Sequence, residues 1–122
     1  ENLIHLAETV LQPVRDHFGK PVAISSGYRS PALCEAIGSS AKSQHAKGEA
    51  ADFEIPGVDN MQLATWINKN TNFDQLILEY YEPGDPNSGW VHCSAVKEGS
   101  RAQVLKASKV GGKTKYENIL LV

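Results

Sequence analysis

The sequence predicts an α+β domain in which helices flank a small antiparallel sheet. Helical and strand patterns alternate in the first half of the chain, whereas the second half holds several strand patterns in succession. Short connections rich in turn residues join these late strands, and such connections favour antiparallel pairing. With 122 residues and a mass of 13.3 kDa, we expect residues 1–122 to form one domain.

Each predicted element rests on a local pattern. Apolar residues recur at steps of three and four along the first helix, although Pro13 should kink or break it. Ser30 before Pro31 caps the second helix, and Asp59 caps the third. The predicted helices are residues 2–18, 31–38 and 60–69, and the predicted strands are residues 21–25, 50–55, 73–81, 89–96, 102–108 and 116–122.

Composition excludes several classes of partner. The net charge of -2 and the pI near 6.1 provide no basic surface for nucleic acid. No apolar run approaches the roughly 18 to 20 residues that span a bilayer, and the first twenty residues carry charges throughout. We therefore expect no membrane insertion, signal peptide or anchor in this chain. Because Glu1 is not an initiator methionine, trimming of an earlier segment stays open.

The two cysteines leave the compartment undecided. Cys34 and Cys93 could form a disulfide, but no CxxC spacing indicates a metal or redox pair. The simpler interpretation is that both are unpaired and packed as small apolar residues.

Two of the four histidines lie in patterns that suggest chemistry. His5 and His17 belong to the amphipathic first helix, where solvation or packing accounts for them. His45 instead lies among small residues that allow side chains to crowd around one point, and Asp52 begins a strand seven residues later. His92 lies within the last of the motif-bearing strands, where alternation places it on the face opposite Cys93.

Two histidines and a carboxylate are ligands that zinc accepts. A zinc site with three protein ligands keeps a fourth position for water, which is typical of catalytic and not of structural sites. The alternative from spacing alone is a pair of ordinary polar histidines.

Three motifs resemble the M15 peptidases, the zinc D-alanyl-D-alanine carboxypeptidases and phage L,D-endopeptidases that cut peptidoglycan peptides. SQHAKGEAAD at residues 43–52 matches the signature SxHxxGxAxD, and SGYRSP upstream and WVHCS downstream resemble the other two motifs in the right order. The sequence between them is similar to the small phage and bacterial branch of the family.

The resemblance implies a hedgehog/D,D-peptidase-like fold with one zinc ion per chain, held by His45, Asp52 and His92. It also implies cleavage of peptidoglycan peptides next to a D-residue. Arg29 corresponds to an arginine that holds a substrate carboxylate or the developing oxyanion. Ser43 is expected to contact substrate or orient a ligand. Cys34 stands where relatives often carry asparagine, which argues against a substrate contact there.

Aromatic residues beside the motifs are candidates for the walls of the cleft. Tyr28 and Trp90 are expected to line it and contact substrate, and ordinary packing is the alternative for both.

The general base needs a separate argument. In several family members a glutamate three residues before the last zinc histidine takes this role, but position 89 is glycine here. If strands 73–81 and 89–96 form an antiparallel hairpin with Tyr81 opposite Trp90, Glu79 lies directly opposite His92 and points to the same face. Glu82 and Asp85 in the connecting loop are the fallback candidates. The alternative for Glu79 is an edge-strand carboxylate facing water.

The predicted function is therefore a zinc-dependent peptidoglycan peptidase, with Glu79 and Arg29 as catalytic residues. One alternative is a non-catalytic module that keeps the fold and the zinc and binds cell-wall peptide or serves as a structural part. A Cys93 nucleophile is disfavoured because it faces away from His92.

The bond cleaved, D-Ala-D-Ala or L-Ala-D-Glu, stays open, as does a phage, prophage or bacterial origin. We expect a monomer acting at the cell wall, and the small size favours a phage lysis or tail-associated enzyme.

Overall fold

The computed structural model describes residues 2–26, 49–82, 84–85 and 88–119, and all structural statements concern these residues. They form an α+β fold with one six-stranded sheet in the order β1-β2-β4-β3-β5-β6. The helices are α1 (Asn2–Leu6), α2 (Gln12–Phe18) and α3 (Asn60–Asn70), with a π-helical segment, Ala7–Leu11, joining the first two. The strands are β1 (Ala23–Ser26), β2 (Ala50–Glu54), β3 (Gln75–Glu79), β4 (Trp90–Ser94), β5 (Gln103–Val110) and β6 (Lys113–Asn118).

Helical structure runs from Asn2 to Phe18, as the periodicity predicts, and does not break at Pro13. Pro13 lies in the first turn of α2, directly after the π-helical segment. Proline has no N–H to donate, and its missing bond falls where the π-helical hydrogen-bond pattern gives way to the α-helical one. Gly19 ends the helix in the left-handed conformation with a φ of 64°, and its N–H donates to the carbonyl of Arg15 at 3.0 Å.

The helix α3 is capped as expected, because the Asp59 side chain accepts from the N–H of Met61 at 2.8 Å. Its first residue, Asn60, is buried and donates to the carbonyls of Ser88 and Gly89 at 3.0 and 3.3 Å. These bonds attach the helix to the segment that leads into β4.

The hydrophobic core lies between the helices and one face of the sheet. Alternation assigns the faces: Phe53, Val91 and Leu78 are fully buried in the core, and their neighbours along the strands point to the other face. The other main members of the core are Leu6, Val10, Val14, Ala51, Leu63, Ala64, Ile67, Leu76 and Cys93. The described helices therefore cover one face of the sheet and leave the opposite face for a site.

The sheet is mixed, which corrects the prediction of a wholly antiparallel sheet. Strands β3 and β5 pair in parallel, whereas the other neighbouring pairs are antiparallel. After β4 the chain crosses over the beginning of β3. It then joins the sheet as β5, on the edge of β3 that faces away from β4. At that crossing the buried carboxylate of Asp74 accepts from the Arg101 backbone at 3.0 Å and from its guanidinium at 2.7 and 3.0 Å.

The last hairpin is tighter than predicted. Strand β5 continues to Val110, and strand β6 begins at Lys113. The turn therefore consists of Gly111 and Gly112 instead of residues 109–114. Both glycines have positive φ, which such short connections require.

None of the helices in the described segments is both long and apolar enough to cross a bilayer.

Candidate metal and catalytic site

Asp52 and His92 lie side by side on the sheet face opposite the core. Strands β2 and β4 are antiparallel neighbours, and their register places these two residues directly opposite each other. The His92 Nδ1 atom is 2.8 Å from Oδ1 of Asp52. Because a carboxylate only accepts, the imidazole is the donor. The side chain of His92 is 12% exposed and that of Asp52 is 17% exposed, so both are largely buried but still reachable from solvent.

Glu79 reaches the same place from β3, on the other side of β4. It pairs with Trp90, and Ile77 pairs with His92. The prediction that Glu79 lies directly opposite His92 is therefore wrong by two residues. A shift of two keeps the side chain on the predicted face because strands have a side-chain period of two. Glu79 thus lies diagonally from His92, within reach of a long side chain.

The observed pairing is symmetric in sequence about residues 83–86, whereas the predicted register places the centre of the turn one residue later. Tyr80 and Gly89 both adopt positive φ, at 55° and 64°, and do not extend the ladder between β3 and β4. Pairing consequently ends at Glu79 and Trp90, and residues 80–89 form the connection.

The three side chains form a group with the geometry of a metal site. Donor atoms of Asp52, Glu79 and His92 all lie within 4.8 Å of one another. Donor atoms in a tetrahedral zinc site are about 3.3 Å apart, given bonds of about 2.0 to 2.1 Å. Small side-chain rotations therefore suffice to bring these donors to one ion. Imidazole and carboxylate groups are also ligand types that zinc accepts, so this donor set fits zinc.

Trp90 holds the carboxylate of Glu79. The indole Nε1 atom donates to Oε2 of Glu79, the residue directly opposite in the register. The Trp90 ring also packs against Tyr80, with centroids 5.3 Å apart and planes inclined at 53°. Trp90 therefore lies beside the group, where the sequence predicts a wall of the cleft.

Gly89 explains the missing glutamate at that position. A Cβ there would overlap the carbonyl oxygen of Glu79 and lie 2.8 Å from the carbonyl carbon of Tyr80. Neither glutamate nor any other side chain fits without moving the backbone. The fallback carboxylates Glu82 and Asp85 are exposed, face each other across a turn, and are not part of the group.

The remaining predicted site residues, Tyr28, Arg29, Ser43 and His45, lie outside the described residues, as does Cys34.

Cys93 is a free and fully buried thiol on the core face of β4. Burial strongly raises the pKa of this thiol, and the charge of Asp74 adds to the effect. A buried, protonated thiol is a poor nucleophile, so the geometry disfavours a cysteine mechanism.

The two helical histidines have packing roles, as expected. His5 Nε2 lies 3.0 Å from the Val96 carbonyl, and the His17 ring stacks on Trp66 at 4.6 Å.

Sequence reasoning gave no role to Tyr80 or Tyr116, although both lie near the group. The register places Tyr116 opposite Ala107, which in turn pairs with Glu79. No motif or spacing could identify it, because its position depends on the parallel pairing of β3 with β5.

A family model described as Peptidase M15 matches residues 2–94, which include Asp52, Glu79 and His92. No curated protein matches the chain. The match covers well over half of the 122 residues. The chain therefore belongs to the peptidase M15 family.

Proposed function

We propose that this protein is a zinc-dependent peptidase that hydrolyses the stem peptides of peptidoglycan next to a D-amino acid. The observation that carries the proposal is the grouping of Asp52, Glu79 and His92 on one sheet face, with donor atoms within 4.8 Å. All three lie in the segment that matches the peptidase family.

Asp52 and His92 are proposed to hold the ion together with His45, which lies outside the described residues. When bound, zinc would polarise the scissile carbonyl and lower the pKa of a water molecule towards neutrality. The Oδ1 atom of Asp52 lies 2.8 Å from Nδ1 of His92, which supports this assignment because two potential ligand atoms are already close enough to bind one ion.

Glu79 is proposed as the general base. Its carboxylate would accept a proton from the attacking water and return it to the nitrogen of the leaving amine. The Trp90 indole fixes the orientation of this carboxylate through its bond to Oε2. No carboxylate can stand at position 89, which supports Glu79 as the residue that takes over this role.

The other assignments follow the family resemblance. Arg29 would hold a substrate carboxylate or the developing oxyanion, and Ser43 would contact substrate or orient a ligand. Tyr28 and Trp90 would line the cleft. We further propose a monomer that acts at the cell wall and is encoded by a phage or prophage.

Digestion of purified peptidoglycan tests the function, with products identified by mass spectrometry. The zinc-loaded protein should release fragments cut at D-Ala-D-Ala or L-Ala-D-Glu, and a strong chelator should stop the release until zinc is restored. Full activity with the metal removed would contradict the zinc mechanism. Zinc binding without hydrolysis of any muropeptide would favour the non-catalytic module.

A further inference from the structure

The C-terminal hairpin, formed by β5 and β6, lies beyond the segment that matches the family model. It nevertheless joins the sheet directly beside β3, the strand that carries Glu79. The register runs from Glu79 to Ala107 and on to Tyr116. Because paired residues point to the same face, Tyr116 projects from the face that holds the candidate site.

Nothing bulky separates Tyr116 from Glu79 along this row. The residue between them is Ala107, whose side chain is a single buried methyl group. Tyr116 itself is 53% exposed, which is unusual for a large aromatic residue at the centre of a strand. Its ring therefore forms an accessible surface next to the site.

The surroundings of the Tyr116 phenol favour its protonated form. Partial burial raises its pKa, and the charges of Glu79 and Asp52 raise it further. The hydroxyl consequently stays protonated near neutral pH and can donate a hydrogen bond.

Tyr80 attaches the hairpin to the wall of the site. Its left-handed backbone, with a φ of 55°, allows its ring to pack on Trp90 instead of following the strand alternation. Its hydroxyl lies 2.5 Å from Oγ1 of Thr114, two residues before Tyr116 on the same face of β6. Trp90, Tyr80 and Tyr116 thus border the site on the side of the hairpin.

We propose that Tyr116 is a substrate-binding residue whose hydroxyl donates a hydrogen bond to a carbonyl or carboxylate oxygen of the peptide held beside Glu79. The inference extends the proposed function and rests on it for the nature of the substrate. A peptide offers such acceptors at every residue, and the Tyr116 hydroxyl supplies a donor beside the two carboxylates Asp52 and Glu79, which can only accept.

Peptide binding tests this role without depending on turnover. The probe is a synthetic stem pentapeptide that ends in two D-alanines and contains both candidate bonds. Titration calorimetry would compare zinc-loaded Glu79→Gln protein with the same protein carrying Tyr116→Phe, which removes only the hydroxyl. Loss of one hydrogen bond should weaken binding by about 3- to 10-fold. The control is Lys115→Ala, since Lys115 pairs with Ser108 and points to the other face.

Hydrolysis provides the second measurement. In the otherwise unchanged protein, Tyr116→Phe should raise KM by a similar factor and leave kcat within about twofold, as expected for a residue that binds substrate in ground and transition states alike. Binding within twofold of the Tyr116 protein would overturn the inference.

The two proposals can fail separately. If the parent protein cleaves the peptide and Tyr116→Phe changes neither KM nor the dissociation constant, the inference fails and the function stands. If the peptide binds through Tyr116 but is never cleaved, the hydrolytic function fails and the inference stands. Absence of any peptide binding contradicts both.

Discussion

Gly89 lies against the backbone of Glu79 so closely that a Cβ at position 89 would overlap the Glu79 carbonyl oxygen. This contact explains why the position cannot carry the glutamate that the family resemblance leads us to expect there. It also makes the glycine a structural requirement of the strand end that presents Glu79 and Trp90.

We expect Gly89→Ala to lower the free energy of unfolding by about 2 to 5 kcal/mol, measured by urea denaturation. The left-handed conformation costs a non-glycine residue about 1 to 2 kcal/mol, and overpacking adds about 1 to 3 kcal/mol. Gly19 is the matched control because it has the same φ of 64° and no atom within 4 Å of the place that a Cβ would occupy. Gly19→Ala should show the conformational cost alone, and equal losses in both variants would contradict the steric argument.

Glu79→Gln should lower kcat by about 100- to 10,000-fold, because the amide cannot accept the proton of the attacking water. Zinc content, measured by mass spectrometry of the metal, should remain that of the parent protein. Loss of zinc together with activity would show that Glu79 is a ligand instead of the base. Glu82→Gln provides the control, since Glu82 is exposed in the turn and should leave kcat unchanged.

Asp52→Asn and His92→Ala should each weaken zinc binding by about 100-fold or more, since loss of a direct ligand exceeds the usual effect of an outer hydrogen-bond partner. Competition with a chromogenic chelator measures the affinity. His17→Ala removes an imidazole that stacks on Trp66 away from the site and should keep the affinity of the parent protein. Parent-like affinity in the Asp52 and His92 variants would contradict the proposed ligand set.

Arg101→Ala should lower the free energy of unfolding by about 2 kcal/mol, because the buried Asp74 carboxylate loses its two guanidinium donors. The bonds between Arg101 and Asp74 stabilise the connection from β4 to β5. Amide hydrogen exchange should therefore also accelerate in β5. The exposed pair of Lys115 and Glu117, 3.3 Å apart, is the control. Lys115→Ala should change stability by about 0.5 kcal/mol or less, and an equal effect of the two variants would argue against the role of burial.

Cys93→Ala should retain hydrolytic activity, because the thiol lies in the core on the face opposite His92. In a Cys34→Ser background, the Cys93 thiol should react with a disulfide reagent only as urea unfolds the protein. Fast labelling of the native protein, or loss of hydrolysis in a stable Cys93→Ala variant, would revive the cysteine mechanism.

Local patterns were sufficient for much of the fold. Periodicity predicted the helix from Asn2 to Phe18, and a capping aspartate predicted the start of α3. Strand alternation also predicted that His92 and Cys93 face opposite sides of β4, which the core confirms. These features depend on residues close together in sequence, so local physical chemistry determines them.

Features that depend on pairing between strands far apart in sequence could not be predicted from local patterns. The register between β3 and β4 differs from the predicted one by two residues, and the parallel partner of β3 comes from beyond the last motif. A pattern with a period of two fixes the face of a side chain but not its partner.

The sequence by itself determined the family resemblance, the α+β class and the face on which Asp52, Glu79 and His92 point. Only the tertiary structure decided that their donor atoms converge within 4.8 Å and that Tyr116 lies on the same sheet face, two strands from Glu79. The physical reason is that side-chain direction follows from the local backbone, whereas strand order and register follow from packing and loop geometry across the whole sheet.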